Sequence, residues 1–247
     1  EKGSAEMAMS TNPKFTTLGF PTTFRLVAND NLQAKAIGSF SSTHFTSTRY
    51  AVLDDGTPYG KDLAAGASAE LKKAKKEIVH QQSFDDKTKE FDELAAKLKA
   101  TQTEVIVSTL NDFQVLALLE ALQKVNHTQV YLLGGDTIKT TLTLKGTGMI
   151  RGLMATSPIL EAQEFPTGAA FLDKYRAKFK VDPAYGGHYT YDAMHVLAAA
   201  IRRSETGKPK DVVDALRKID GYAPVTGSMK WDNVGEQRYG VISVYAA

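Results

Sequence analysis

Five histidines, a pair of adjacent aspartates and one glycine-rich stretch are the groups in this chain that invite a chemical reading. Asp54-Asp55-Gly56-Thr57 follows a β-rich run, residues 49–53 (RYAVL), which is where an aspartyl nucleophile sits in one class of phosphatases. That motif needs a second aspartate two residues after the first, and Gly56 stands there, so the segment reads as a turn. Lys145-Gly146-Thr147-Gly148 precedes a β-rich run instead of following one and opening a helix, so it lacks the context of a dinucleotide loop. His44, His80, His127, His188 and His195 show no metal-ligand spacing; His188 and His195 lie about two helical turns apart with no carboxylate pair to complete a site. Asn126-His127-Thr128 is a glycosylation sequon by letters only and reads as a turn. Nothing assembles a nucleophile, a base and an oxyanion donor, so no catalytic residue, metal site or cofactor is expected. Non-covalent binding remains, and three polar residues are placed for it: Tyr59, Asn111 and Asp136 each come shortly after a predicted strand.

The strands are read from short apolar runs. Residues 49–53 (RYAVL), 78–82, 104–108 (EVIVS), 131–135 (YLLGG) and 152–156 (GLMAT) fit buried strands. Helical patterns separate them. One runs from Tyr59-Gly60 to about Glu77 with Leu63, Ala67, Leu71 and Ala74 on one face; a second carries Phe91, Leu94 and Leu98; a third, residues 112–125, is apolar nearly all round. Strands alternating with helices of this length imply βαβ units and a mostly parallel sheet. In such sheets ligands bind beyond the carboxyl ends of the strands, which is why the residues after RYAVL, EVIVS and YLLGG draw the eye. The remainder is more helical, over 167–179, 189–203 and 209–219, and the tail returns to strands at 226–231 and 238–245 across a turn at Asp232-Asn233-Val234-Gly235. No linker rich in Pro, Gly or Ser separates two domains, so a second domain must be woven from non-contiguous pieces.

Composition narrows the class without naming it. Hydrophobic residues make up 43% and charged residues 23%, which suits a folded globular protein. Net charge is +2 with the basic residues scattered, so no nucleic acid partner is expected. The densest basic run, Leu71 to Lys76, alternates with apolar positions at helical spacing and reads as a solvated helix face. There are no cysteines, which excludes a disulfide scaffold and thiol chemistry. The first four residues, Glu1-Lys2-Gly3-Ser4, carry no signal-peptide pattern.

Met9-Ser10-Thr11-Asn12-Pro13, followed by Phe24-Arg25, resembles the "S-x-T-N-P … F-R" stretch of the periplasmic solute-binding proteins of the leucine/isoleucine/valine-binding (type I) family, which feed ABC importers. The similarity continues through Thr57-Pro58-Tyr59-Gly60-Lys61, residues 91–99 (FDELAAKLK), Gly134-Gly135-Asp136, Tyr191-Asp192-Ala193 and Trp231-Asp232, in family order over essentially all 247 residues. The resemblance implies an α/β fold of two lobes with Rossmann-like parallel sheets flanked by helices, joined by three crossovers, with an amino acid enclosed between them. Residues 1–30 and 162–228 fall to the first lobe by this comparison, and 31–161 and 229–247 to the second. The family's opening strand, its P-L-T-G-like turn, and its serine-containing loop for the ligand carboxylate have no counterpart here, so the first lobe is expected to be incomplete.

The resemblance also assigns roles. Met9 would offer its carbonyl to the ligand ammonium, with Ser10 in the same loop, and Thr11 its N–H and hydroxyl to the carboxylate. Tyr59 would close over the ligand backbone, and Asp136 would pair with the ammonium. Asn111 stands where relatives often carry an aromatic residue, and His188 falls near a first-lobe cleft position. Local structural roles stay open for several of these: turn packing for Tyr59 and a helix cap for Asn111 or Asp136. The implied function is extracytoplasmic, periplasmic binding of an amino acid, amide or similar small polar metabolite for delivery to the membrane subunits of an ABC importer. No chemistry is done. Without the carboxylate loop, this chain is expected to bind free amino acids weakly and to self-associate, for instance as a domain-swapped dimer. A ligand-sensing regulator or receptor domain of the same fold is the alternative, as is a self-associating fragment without ligand function.

Overall fold

The computed structural model describes residues 3–247; Glu1 and Lys2, which head the expected first-lobe segment, lie outside the described residues. The chain divides into two compact units, Glu1–Asn29 with Pro158–Val241, and Asp30–Ser157 with Ile242–Ala247. In chain order, the first unit opens with β1 (Glu6–Ala8), a single helical turn α1 (Lys14–Thr17) and β2 (Thr23–Arg25). The second unit follows with α2 (Asp30–His44), β3 (Arg49–Asp54), α3 (Pro58–Lys73), β4 (Glu77–Ser83), α4 (Asp92–Ala100), β5 (Val105–Thr109), α5 (Asp112–Lys124), β6 (Tyr131–Gly134) and β7 (Gly152–Ser157). The first unit resumes with α6 (Gly168–Phe179), α7 (Gly187–Arg203) and α8 (Pro209–Arg217), and β8 (Ser243–Ala246) ends the second.

The second unit is a six-stranded sheet in the order β4-β3-β5-β6-β7-β8. Its first five strands are parallel, and β8 runs antiparallel along β7. Side chains alternate across a strand, and here both faces are apolar because helices cover both. Ala51, Leu53, Ile106, Leu132 and Leu153 meet Leu94, Leu98, Val115, Leu118 and Leu122 of α4 and α5. The alternate residues Tyr50, Val52, Val105, Val107, Leu133 and Met154 meet Ile37, Leu63, Ala67 and Leu71 of α2 and α3. The helices α3 and α5 start where local chemistry starts them. Thr57 caps α3 by accepting from the Gly60 N–H, with Pro58 at the first helical position. Asn111 caps α5 in a reciprocal box with Gln114.

In the first unit β1 and β2 pair in parallel, and α7 and α8 pack with Phe24, Leu26, Val27, Met229 and Trp231 in one core. Two sequence expectations change here. Residues 229–241, expected in the second lobe, pack in the first unit, as do residues 158–161. The cause is the anchoring of residues 231–236 on β2: the Trp231 indole donates to the Arg25 carbonyl at 2.6 Å, and the Arg25 N–H donates to the Gly235 carbonyl at 2.8 Å. Gly235, at φ +90°, comes so close that an added Cβ would lie 1.9 Å from the Thr23 carbonyl oxygen. With the turn pinned in this way, residues 226–231 and 238–245 do not form the expected pair of strands. They leave only isolated bridges, Ala223 with Gly227, Asp220 with Lys230 and Trp231 with Gln237, and the short β8.

Candidate ligand-binding site

In the second unit, β6 delivers Gly134 at its carboxyl end, and Asp136 then opens a single 3₁₀ turn over residues 136–138. The Tyr59 phenol, from the first turn of α3, donates to Asp136 Oδ1 at 2.6 Å. Gly135 makes that approach possible: a Cβ there would lie 2.6 Å from the Tyr59 hydroxyl oxygen. A third residue joins them. Gln33, in the first turns of α2 and fully buried, donates from Nε2 to the same Asp136 Oδ1 at 3.2 Å and to Thr156 Oγ1 at 3.0 Å. Thr156 in turn donates to the Gly134 carbonyl at 2.9 Å, tying the end of β7 to the end of β6.

Burial, followed by the neighbouring Asp136 charge and its hydrogen bond, pushes the Tyr59 phenol well above the ordinary tyrosine range. Tyr59 therefore stays a donor at any physiological pH. The cluster Tyr59–Asp136–Gln33–Thr156 offers one carboxylate, partly buried, braced through one of its two oxygens. Such a group holds a cation by charge-assisted hydrogen bonds. It contains no nucleophile paired with a base.

Asn111 lies apart from this cluster in its bonding. Its side-chain oxygen accepts from the Gln114 N–H at 3.2 Å and its amide donates to the Asp86 carbonyl at 3.2 Å, so it is occupied in capping α5. In the first unit, Met9, Ser10 and Thr11 follow β1 as an irregular segment. Arg25, fully buried, holds that segment: its guanidinium donates to the carbonyls of Ser10 and, at 2.9 Å, of Asn12, while Nε and Nη2 pair with the two Glu236 oxygens at 3.0 and 2.9 Å. The Met9 side chain lies over Gly186, where an added Cβ would come within 2.7 Å of its sulfur. Neither the Met9 carbonyl nor the Thr11 hydroxyl forms a hydrogen bond among the described residues. His188 is only 4% exposed, its Nε2 is 3.0 Å from the Leu160 carbonyl, and its ring neighbours Phe165, Phe171 and Tyr189.

Sequence reasoning singled out Tyr59 and Asp136, which the structure bonds to each other, and did not single out Gln33 and Thr156, which brace them. Thr156 closes a predicted strand, GLMAT, to which the strand-end rule was not applied; applied there, the rule would have reached it. Gln33 lay in a segment that had not been read as a helix. Arg25 appeared within a family signature but without a role.

A parallel sheet whose polar groups gather just past its strand ends has them where open α/β sheets bind ligands. Comparison with known proteins agrees: residues 7–244 match the family described as periplasmic binding protein, and the chain belongs to that family. It is a family of binding proteins, not a class of enzymes. The chain is 25% identical over 240 residues to the Leu/Ile/Val-binding protein homolog 1 of Brucella abortus (strain 2308), covering 96% of this chain and 64% of that protein. It therefore spans less than two thirds of that relative's length. Among solved structures, a leucine binding protein from Thermotoga maritima superposes with a TM-score of 0.80 at 20% identity, covering 95% of this chain and 67% of the other. A branched-chain amino acid transporter substrate binding protein from Streptococcus pneumoniae, solved with isoleucine, gives 0.78 at 21% identity, covering 99% and 69%. The type I periplasmic-binding-protein fold follows from these likenesses.

Proposed function

We propose that this chain binds an amino acid, outside the cytoplasm, for delivery to the membrane subunits of an ABC importer. One observation carries the reading: Asp136 stands past the end of β6 with its Oδ1 engaged by Tyr59 and Gln33, a carboxylate set to receive an ammonium group. Taken by itself, the first unit offers the Met9 carbonyl as an acceptor and the Thr11 N–H and hydroxyl as donors, and we propose these as ligand-binding groups of that unit. The name of one relative, Leu/Ile/Val-binding protein homolog 1, points the same way. A single threonine is a thin provision for a carboxylate, so binding weaker than micromolar is expected. Titration calorimetry with leucine, isoleucine and valine, each beside its counterpart lacking the amino group, tests this. Tighter binding of the amino acids than of the deaminated acids, by about tenfold or more, is expected; equal affinity for both sets would sink the ammonium reading.

A second reading concerns association. A groove of about 850 Å³ on the first unit is lined by Phe171, Tyr175, Phe179, Tyr185, Tyr191 and Met194. Phe179 and Met194 there are 51% and 62% exposed. Clustered exposed apolar side chains mark interaction surfaces, and we take a second copy of the chain as the occupant. Light scattering reads it directly: a concentration-dependent dimer that Met194→Lys abolishes is expected, and a monomer at high concentration contradicts it.

A further inference from the structure

Gln33 is an expensive residue for the place it occupies. It is fully buried on α2, and its Oε1 finds no hydrogen-bond partner among the described residues. A buried acceptor left unsatisfied is destabilising, and an apolar side chain of the same shape would serve packing at least as well. The amide is oriented without ambiguity. All three polar atoms around Nε2 are acceptors: Asp136 Oδ1 at 3.2 Å, the Thr156 carbonyl at 3.3 Å and Thr156 Oγ1 at 3.0 Å. Thr156 Oγ1 is itself fixed as an acceptor towards Gln33, because its proton goes to the Gly134 carbonyl. Gln33 and Tyr59 then converge on one oxygen of Asp136, and no bond is made to Oδ2 among the described residues.

We propose that Gln33 is a positioning residue for ligand binding: it acts through Asp136, fixing the carboxylate by Oδ1 so that Oδ2 is presented to the ligand ammonium. This rests on the reading that Asp136 receives an ammonium. Two donors on one oxygen, coming from α2 and α3, set the rotation of the carboxylate plane, which one donor alone leaves free. The unsatisfied Oε1 is the cost of placing a donor where only a donor is useful, and such local inconsistencies collect at functional sites.

The test is Gln33→Met, which keeps the shape and removes the amide, read in two ways. In crystals grown without ligand, the Asp136 carboxylate of the variant is expected to rotate or to adopt more than one orientation. In calorimetry, leucine affinity is expected to fall about tenfold, the loss of roughly one hydrogen bond to a charged group. Affinity for 4-methylpentanoate, leucine without its amino group, is expected not to change, and thermal stability to hold or rise. In an Asp136→Asn background the same substitution is expected to add nothing. An unmoved Asp136 overturns the proposal, as does an equal loss for both ligands, which a packing role would give. If the unsubstituted chain gives no heat with leucine, the binding reading fails, and the crystal structures alone decide the positioning claim. Should Gln33→Met fail to fold, Thr156→Val removes the hydroxyl that orients the amide and is read in the same two ways.

Discussion

Replacing Arg25 by methionine is expected to destabilise the first unit by about 3 kcal/mol. The guanidinium is fully buried and pairs with Glu236, whose side chain is 21% exposed. Breaking a buried ion pair by removing one partner costs about 3–5 kcal/mol, because the other charge is left uncompensated. The lower end applies here, since Glu236 keeps some solvent and two other donors, Asn29 at 3.2 Å and the Thr16 hydroxyl. The chain's single tryptophan makes the assay local: Trp231 packs edge-on against Phe24 and donates to the Arg25 carbonyl, so its fluorescence in a urea titration follows this unit. Adding Glu236→Gln to Arg25→Met is expected to cost less than about 1 kcal/mol more, because the orphaned charge is removed. Amide exchange at residues 10–12 is expected to quicken in the single variant, since the Ser10 and Asn12 carbonyls lose their donor. A loss under about 1 kcal/mol, or costs that simply add in the double variant, would refute the view that Arg25 and Glu236 act as a buried ion pair in this unit.

Three further outcomes follow from other sites. Gly135→Ala is expected to displace the Tyr59 hydroxyl from Asp136 while leaving the unfolding midpoint nearly unchanged, because the far end of a side chain can yield; a crystal structure with the 2.6 Å bond intact would contradict this. Asp192→Ala is expected to cost about 3 kcal/mol in urea unfolding, since the buried carboxylate accepts from the Val225 and Thr226 N–H groups and the Thr226 hydroxyl; a change within about 0.5 kcal/mol would count against it. Burial, opposed by the hydrogen bond to Gln82, holds His80 below its ordinary pKa of 6.5. The unfolded chain therefore binds the proton more readily, and this residue's contribution to stability is lost as pH falls below about 6.5 towards the depressed folded value. His80→Gln should flatten the stability profile between about pH 7 and pH 5, and an unaltered slope would show that His80 is not the group responsible.

The second unit's sheet was legible in the sequence because its strands are buried on both faces and so read as unbroken apolar runs. Strand-end placement and the family resemblance both singled out Tyr59 and Asp136, and the structure bonds the two to each other. The helix carrying Gln33 was not legible. Gly38, Ser39, Ser41, Ser42 and Thr43 are weak helix formers that mask its pattern, and Gly38 is there for packing: a Cβ would come within 2.5 Å of the Glu70 Cβ on α3. A requirement set by a partner helix leaves no local trace. The same holds for residues 229–241. Their β-rich composition suggested strands, whereas what places them are long-range bonds to β2, from the Trp231 indole and to the Gly235 carbonyl, with the Arg25–Glu236 ion pair beside them. Asn111 illustrates the opposite case, a polar residue after a strand whose bonds are spent on capping its own helix.

The central claim is that Asp136 receives the ammonium of an amino acid, and leucine titrated into the unsubstituted chain and into Asp136→Asn tests it most directly. The substitution keeps an oxygen for Tyr59 and Gln33 and removes only the charge. A charge-assisted hydrogen bond is worth about 1.5–3 kcal/mol, so a loss of roughly ten- to a hundredfold in affinity is expected. Affinities that agree within about threefold, a difference under 1 kcal/mol, would contradict the account.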